Sequence, residues 1–411
     1  MKVTTLCSLL SLCLVFSAPA AVAALTPIPP TETKLVANDA EFGDEFGNEV
    51  AIQGNIAVIG SQGDRPLGFG TGAAYVFEKT ASGWQQLQKL TSSDSASHQF
   101  FGVSVAIDGD RIVIGAWGDQ NAGVFSGAAY VFARSGSTWV EEQKLTGSEN
   151  SFADGFGKSV AIEGDTIVVG AFGNSDVPQT EVGSAYVFRR TQAGWVEQQE
   201  LTASDAAAGM RFALSVDISN GTIVAGGDGN SELGFFSGAV YVFTFDGSSW
   251  VEEQKLQAQD AAESASFGYH VAISGDTIVA GAPGDIVGAL MHGAAYVFSR
   301  KTNGWSQDRK LVGKDTNAFD GFGLRVAIDA DTIVVGSPND SELAFRGGSA
   351  YVYKLNGQSG WSLHKRQYPS DPAKDDTFGL SVAASGNTVL VGAPAKSDIA
   401  FLAGAAYVYE F

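Results

Sequence analysis

Apolar and polar residues follow a pattern that returns about every 55 residues along most of the chain. Three mostly apolar segments occur in each copy, such as Val105-Ala106-Ile107 and Thr332-Ile333-Val334-Val335. β-branched and aromatic residues dominate them, and no helical 3.6-residue period is present, so we predict strands. Each copy opens with a phenylalanine, and these stand at Phe46, Phe101, Phe156, Phe212, Phe267, Phe322 and Phe378.

Each copy has the organisation of a four-stranded meander. A short glycine turn, such as Asp108-Gly109-Asp110, joins the first two segments and is a hairpin signal. The third segment carries a tyrosine three residues after a glycine, as at Gly127 and Tyr130. The fourth begins at a tryptophan, alternates in polarity and carries Glu, Gln and Lys, as in residues 139–145. Such a segment is typical of an outer edge strand.

Seven such sheets around one axis predict an all-β fold, a seven-bladed β-propeller of four-stranded antiparallel blades. The last copy, from Phe378, ends at Phe411 after three strands. Residues 33–37 match the missing fourth strand. We therefore predict that residues 33–37 complete the last blade and close the ring.

The copies resemble FG-GAP repeats, which are known from the head of integrin α-chains and from exported bacterial proteins. The residues that carry the resemblance include Phe267-Gly268 with Gly281-Ala282-Pro283, and Phe378-Gly379 with Gly392-Ala393-Pro394. The resemblance implies a propeller with a role in adhesion.

The resemblance also raises the question of calcium, because integrin-like members carry aspartate-rich loops between the first two strands. Here that connection is a tight turn, as in Glu163-Gly164-Asp165. One or two carboxylates cannot supply the six to eight oxygens that Ca²⁺ requires. We therefore expect no cofactor, although the resemblance leaves calcium open.

The N-terminal residues predict export. Lys2, an apolar run over residues 6–16 and Ala21-Val22-Ala23 predict a secretory signal peptide at 1–23. Residues 24–32 contain three prolines and predict a stiff leader, followed by one domain over 33–411. Cys7 and Cys13 would be lost with the signal peptide, which leaves no disulfide. We expect a secreted, cell-surface or periplasmic protein.

Composition narrows the range of partners. Lys and Arg number 25 against 45 Asp and Glu, so the formal net charge is −20. An acidic surface favours solubility and argues against nucleic acid, whose binding needs a basic footprint. After the signal peptide, no stretch reaches the roughly 18 apolar residues of a membrane helix. We expect a monomeric propeller with a protein or glycan ligand.

The ligand is expected on one face of the propeller. Loops after strands two and four of a meander emerge on the same face, and here they are long and variable, which is where binding concentrates. Bulky apolar residues in the strand 2–3 loops are either an exposed ligand-binding patch or plugs that fold back onto the loops. The candidate ligand-binding residues are Phe125, Phe235, Phe236, Met291, Phe345 and Phe401, with Phe69 and Leu402 at similar positions.

An acidic residue also stands seven positions before each repeat phenylalanine. These acids either form a ring of cation sites or make turn hydrogen bonds, which Asp forms readily. The weak metal candidates are Asp39, Asp94, Asp205, Asp260, Asp315 and Asp371, and Glu149 holds the position in the third copy. A second acid often stands two positions before the phenylalanine, at Asp44, Asp154, Asp320 and Asp376.

Signals for catalysis are few. The four histidines occupy four different repeat positions, and no two have metal-ligand spacing. We therefore expect no enzymatic activity. The predicted function is an exported adhesion or binding module that uses its strand 2–3 and 4–1 loops. The alternative is a polysaccharide-acting hydrolase or lyase with acidic residues at the axial pocket.

Overall fold

The computed structural model describes residues 31–66, 68–149, 151–173, 181–288, 290–313, 315–357 and 360–411. The predicted signal peptide and residues 24–30 of the predicted leader lie outside these ranges. The described residues form strands, turns and loops without an α-helix. Within these ranges, no helix is long and apolar enough to cross a membrane.

The strands form seven four-stranded antiparallel blades, as predicted. A single strand, β1 (Thr31–Leu35), precedes the first blade. Blades one to three follow it, each listed from its innermost to its outermost strand: β2 (Val50–Gln53), β3 (Ile56–Ser61), β4 (Ala73–Thr80) and β5 (Gly83–Leu90); β6 (Ser104–Asp108), β7 (Arg111–Ala116), β8 (Ala128–Ser135) and β9 (Thr138–Leu145); β10 (Phe156–Glu163), β11 (Thr166–Ala171), β12 (Ser184–Thr191) and β13 (Gly194–Leu201).

The remaining blades repeat this order. Blade five contains an additional hairpin of two short strands, β20 (Ile286–Val287) and β21 (Leu290–Met291), which the sequence pattern did not predict. Blades four to seven consist of β14 (Val216–Ser219), β15 (Thr222–Gly227), β16 (Ala239–Phe245) and β17 (Trp250–Leu256); β18 (Val271–Ser274), β19 (Thr277–Ala282), β20 (Ile286–Val287), β21 (Leu290–Met291), β22 (Ala294–Lys301) and β23 (Gly304–Leu311); β24 (Arg325–Asp329), β25 (Thr332–Ser337), β26 (Ser349–Asn356) and β27 (Gly360–Gln367); and β28 (Ser381–Ser385), β29 (Thr388–Ala393) and β30 (Ala405–Glu410).

The N-terminal strand occupies the outer position of the last blade. β1 pairs antiparallel with β30, from Thr31 opposite Glu410 to Leu35 opposite Ala406. The predicted bounds of 33–37 were wrong by two residues, because Leu35 is the last residue of its strand, as Leu90 and Leu145 are of theirs. Thr31 and Glu32 therefore belong to a strand and not to the leader.

The repeat phenylalanines lie in the core at the blade junctions. Phe101 is fully buried, with its ring centroid 5.4 Å from that of Tyr130 in an edge-on contact. The glycine after it, Gly102, has φ +90°, and a Cβ there would lie 2.2 Å from the carbonyl oxygen of Ala73. The close approach of the two backbones explains why Phe-Gly recurs at the start of most blades.

Glutamine side chains join neighbouring outer strands. Gln88 Nε2 donates to the carbonyl oxygen of Trp139, and the Trp139 amide donates to Gln88 Oε1, both at 2.8 Å. This reciprocal pair satisfies backbone groups that an edge strand would otherwise expose. The same bridge recurs at Gln143 with Trp195, Gln199 with Trp250 and Gln254 with Trp305.

Candidate binding face and axial cavity

The loops between strands two and three and between strands four and one share one face of the propeller, called here the loop face. Each blade's strand 2–3 loop is hydrogen-bonded to the loop that leads into the next blade. The amide of His98 donates to the Phe69 carbonyl at 2.9 Å, and the amide of Phe100 donates to the Gly70 carbonyl at 2.8 Å. The backbone of the loop face is therefore tied from blade to blade.

The structure divides the six predicted ligand-binding residues into two groups. Phe235, Phe345 and Phe401 are about 60% exposed, at 63%, 60% and 59%. Phe125, Phe236 and Met291 are half-buried. The two alternatives drawn from the sequence therefore apply to different residues of the same loops.

The half-buried residues pack against other parts of the loop face. Phe125 stacks on Trp117 with ring centroids 5.1 Å apart. Phe236 lies 5.1 Å from the guanidinium carbon of Arg211. These contacts hold the two rings against the loops, so that they support neighbouring side chains.

Further aromatic residues are exposed on the same face. Phe69, which the sequence placed beside the main candidates, is 58% exposed. Sequence reasoning missed three more, Phe42, Phe152 and Phe319, in the strand 4–1 loops. The only sequence feature that could have identified them is that each is an isolated phenylalanine in a polar loop. The exposed ring, as this set is called below, consists of Phe42, Phe69, Phe152, Phe235, Phe319, Phe345 and Phe401.

The six aspartates of the acid ring form ion pairs within their own blades. In the third blade, Glu200 stands opposite Tyr186, where blade two has Lys144 opposite Tyr130. Asp94 accepts hydrogen bonds from Tyr130 Oη and Lys144 Nζ, both at 2.6 Å. No described group of three or more His, Cys, Asp or Glu residues is placed to hold a metal ion. The other five candidates have the same kinds of partners: Asp39 with Tyr75 and Lys89, Asp205 with Tyr241 and Lys255, Asp260 with Tyr296 and Lys310, Asp315 with Tyr351 and Arg366, and Asp371 with Tyr407 and Lys34.

These partners set the charge state of the acids. Burial alone would raise the pKa of Asp94, but the hydrogen bonds from Lys144 and Tyr130 outweigh it and lower the pKa to about 2. The second set of acids caps the loops instead. Asp44 accepts the amide of Glu41 at 2.6 Å, and burial raises its pKa to about 6. The aspartates of both sets are thus occupied by contacts within the protein.

The innermost strands of the seven blades surround an axial cavity of about 300 Å³. The position three residues after each repeat phenylalanine lies on these strands or directly before them. Four blades carry serine there, which links adjacent strands: Ser159 Oγ accepts the amide of Val216 at 3.0 Å, and Ser104 Oγ donates to the Gly157 carbonyl at 2.8 Å. The other three blades carry Glu49, His270 and Arg325 at this position.

These three residues and Lys158 line the cavity and are called the axial cluster. Glu49 Oε2 lies 3.9 Å from Arg325 Nε. Among the residues that the structure describes, Arg325 Nε and His270 Nδ1 are buried polar atoms with no hydrogen-bond partner. Because the innermost strands start at the strand 4–1 loops, the axial cluster lies toward the loop face.

Burial shifts the pKa values of the axial cluster. It raises the pKa of Glu49, against the attraction of Arg325 and Lys158. It lowers the pKa of Lys158 to about 8, and the positive charge of Arg325 acts in the same direction. Burial and Arg325 also lower the pKa of His270 to about 3, so that its ring is neutral at physiological pH.

A second carboxylate, Asp217, lines the cavity where the other blades carry alanine. It accepts the amides of Ile218 and Ile273 at 2.8 Å, and burial raises its pKa to about 7. The loop acids that the sequence singled out do not line the cavity. Of the four histidines, only His270 lines the cavity. Sequence reasoning missed it because it stands out only when the repeats are aligned, which shows that it replaces a serine.

Comparison with known proteins agrees with this architecture. The FG-GAP repeat model matches seven segments: 30–77, 84–132, 139–188, 195–243, 250–298, 305–353 and 361–409. No curated protein gives a match. The crystal structure of Saccharomyces cerevisiae Sqt1 is similar in fold, with a TM-score of 0.51 and 10% identity over 93% of this chain and 99% of that chain. The fold supports a binding module in general. Because the repeat matches span most of its length, the chain belongs to the FG-GAP repeat family.

Proposed function

We propose that the protein is an exported binding module that recognises a protein or glycan ligand through its loop face. The observation that carries this proposal is that aromatic side chains extend into solvent from a fixed backbone. The carbonyl of Phe235 accepts the amide of Ser264 at 2.7 Å, and the carbonyl of Phe345 accepts the amide of Asp375 at 2.8 Å. Export rests on the predicted signal peptide at residues 1–23.

Fixed and exposed aromatic rings suit binding for two reasons. Burying their apolar surface in a complex contributes about 25 cal mol⁻¹ Å⁻². A backbone that is already ordered loses little conformational entropy when the ligand binds. An exposed apolar set of this kind on a soluble protein marks an interaction surface.

Charged side chains flank two members of the exposed ring. Glu232 and Glu342 lie in the same loops as Phe235 and Phe345, with side chains 58% and 51% exposed. A polar rim around aromatic anchors is the usual anatomy of a protein interface. Aromatic rings flanked by acceptors also suit a glycan, which offers apolar C–H faces and hydroxyl groups.

Binding assays with a matched control test the proposal. Wild type would be compared on glycan arrays and in pull-downs with the variant Phe235→Ala/Phe236→Ala. Control substitutions would be Val140→Ala and Val196→Ala, which alter exposed apolar residues of the outer strands β9 and β13. We expect the loop-face variant alone to lose binding. Equal binding by wild type, the loop-face variant and the controls would contradict the proposal.

An enzyme acting on polysaccharide is the weaker alternative. It needs two carboxylates positioned for acid–base or nucleophilic chemistry. In the described part of the cavity wall, the carboxylates are Glu49 and Asp217. The first lies beside Arg325, and the second is held by two backbone amides. This arrangement favours binding over catalysis.

A further inference from the structure

Three residues of the axial cluster replace serines of the repeat, and two of these replacements should destabilise the fold. Serine at the same position links neighbouring innermost strands in other blades, as Ser159 does with Val216. His270 and Arg325 replace such serines, and each leaves a buried nitrogen without a hydrogen-bond partner. Buried polar groups of this kind destabilise a fold unless a partner satisfies them. The repeat therefore gives no structural reason for these residues.

We propose that the axial cluster binds a small hydroxylated carboxylate of the size of a hexuronic acid. This site is separate from the exposed ring, and it does not depend on the function proposed for that ring. The proposal rests on the charges of the axial cluster and on the dimensions of the axial cavity.

The charges of the axial cluster favour an anion. Lys158 and Arg325 are positive and close enough to affect each other electrostatically, while Glu49 supplies one negative charge. A protein with a net charge of −20 thus has two cations against one carboxylate in the axial cluster, with Asp217 further along the wall. A ligand carboxylate would reduce the repulsion between the two cations, and the guanidinium is suited to bind it through paired N–H groups.

The remaining groups favour hydroxyls on the same ligand. Glu49 offers acceptor oxygens to ligand hydroxyls. A ligand that carries a carboxylate but no hydroxyl would only be repelled by Glu49. Tyr269 adds an aromatic wall, with the Arg325 guanidinium carbon 5.9 Å from the centre of its ring. The volume of about 300 Å³ lies at the lower end of the range for small-molecule sites.

Calorimetric titration of the purified protein tests the site with galacturonate, galactose and acetate as probes. We expect galacturonate to bind with a Kd of about 1 mM or below. Galactose lacks the carboxylate and acetate lacks the hydroxyls, so each should bind at least about tenfold more weakly, as expected from the loss of charge-assisted or multiple hydrogen bonds.

The repeat itself provides a substitution that should fold. Arg325→Ser introduces the residue found at Ser104, Ser159, Ser215 and Ser381. We expect this variant to melt at or above the temperature of wild type and to bind galacturonate at least about tenfold more weakly. Arg190→Ser removes an arginine from β12, outside the cavity, and should bind as wild type does.

The pH dependence gives an independent readout. Lys158 faces Glu49, Arg325 and His270 within the cavity, with Asp217 further along the wall. As pH rises through about 8, Lys158 loses its proton, so the affinity for galacturonate should fall. Ionisation of Asp217, whose pKa is about 7, acts in the same direction. Absence of galacturonate binding, equal binding of acetate, or unchanged binding by Arg325→Ser would each overturn the proposal.

Discussion

Replacing Leu35 by alanine tests whether the N-terminal strand is an integral part of the last blade. Leu35 is 3% exposed and lies opposite Ala406 in the sheet. Leu145 holds the same place in blade two, is 2% exposed and lies opposite Ala129. The two leucines differ in one respect. Leu145 lies in β9, which directly follows the other three strands of its blade in sequence, whereas Leu35 lies in β1, at the opposite end of the chain from the other strands of its blade.

The size of the effect follows from burial. A buried Leu→Ala substitution typically costs about 2–5 kcal/mol, from lost apolar transfer and the remaining cavity. Unfolding entropy is about 2.1 cal mol⁻¹ K⁻¹ per residue near the melting temperature, or about 0.8 kcal mol⁻¹ K⁻¹ for a domain of about 380 residues. A loss of about 3 kcal/mol therefore lowers the melting temperature by about 4 °C for either leucine.

Differential scanning calorimetry of wild type, Leu35→Ala and Leu145→Ala measures both shifts. We expect two similar decreases. If Leu145→Ala lowers the melting temperature and Leu35→Ala leaves it unchanged, the N-terminal strand does not contribute to the stability of the ring, and the closure described above would be refuted.

Three further predictions concern the ionisable groups. Tyr130→Phe removes the hydroxyl bound to Asp94 and should lower the free energy of unfolding by about 2 kcal/mol, measured by urea denaturation; an unchanged midpoint would contradict the structural role of this pair. Added calcium should leave the melting temperature of wild type unchanged, because Lys144 and its equivalents already pair with the six aspartates of the acid ring, and a clear increase would reverse that conclusion. Lys158→Met should raise the melting temperature at neutral pH, because the fold disfavours the charged ammonium. The free energy of unfolding of wild type should then rise between pH 8 and about 10.5, where the unfolded chain binds more protons, and the advantage of the variant should shrink; a constant difference would contradict the lowered pKa.

The repeat made most of the fold predictable from the sequence. Seven copies in register determine the number of blades, the number of strands in each and the position of the tight turns. Details that depend on single residues were less accessible. β1 was placed two residues too late, and the hairpin β20–β21 was absent from the prediction because two-residue strands leave no periodic pattern.

The acid ring shows why spacing alone did not decide its role. Asp94 is 36 residues from Tyr130 and 50 residues from Lys144, and the same separations recur at Asp39 with Tyr75 and Lys89. A partner that recurs at a constant separation is as visible in the sequence as the acid itself. Only the folded blade, however, shows that the three side chains meet.

The axial cluster shows the opposite situation. Its residues have no shared motif, and Glu49, His270 and Arg325 are conspicuous only against the serine of other blades. Glu49, His270 and Arg325 lie in blades one, five and six, so their contact depends on closure of the ring around the axis. Comparison of the repeats position by position identifies them, whereas a search for motifs along the chain does not.

Site-selective blocking of the loop face tests the central claim most directly. A chain that begins after residue 23 contains no cysteine, so Phe345→Cys on the loop face and Val140→Cys on β9 can each be coupled to a bulky polyethylene glycol maleimide. Binding of the ligand found by array or pull-down would then be measured by surface plasmon resonance. We predict that modification at residue 345 abolishes binding and that modification at residue 140 leaves it intact. Binding that survives at 345, or that is lost at 140, would place the function elsewhere on the propeller.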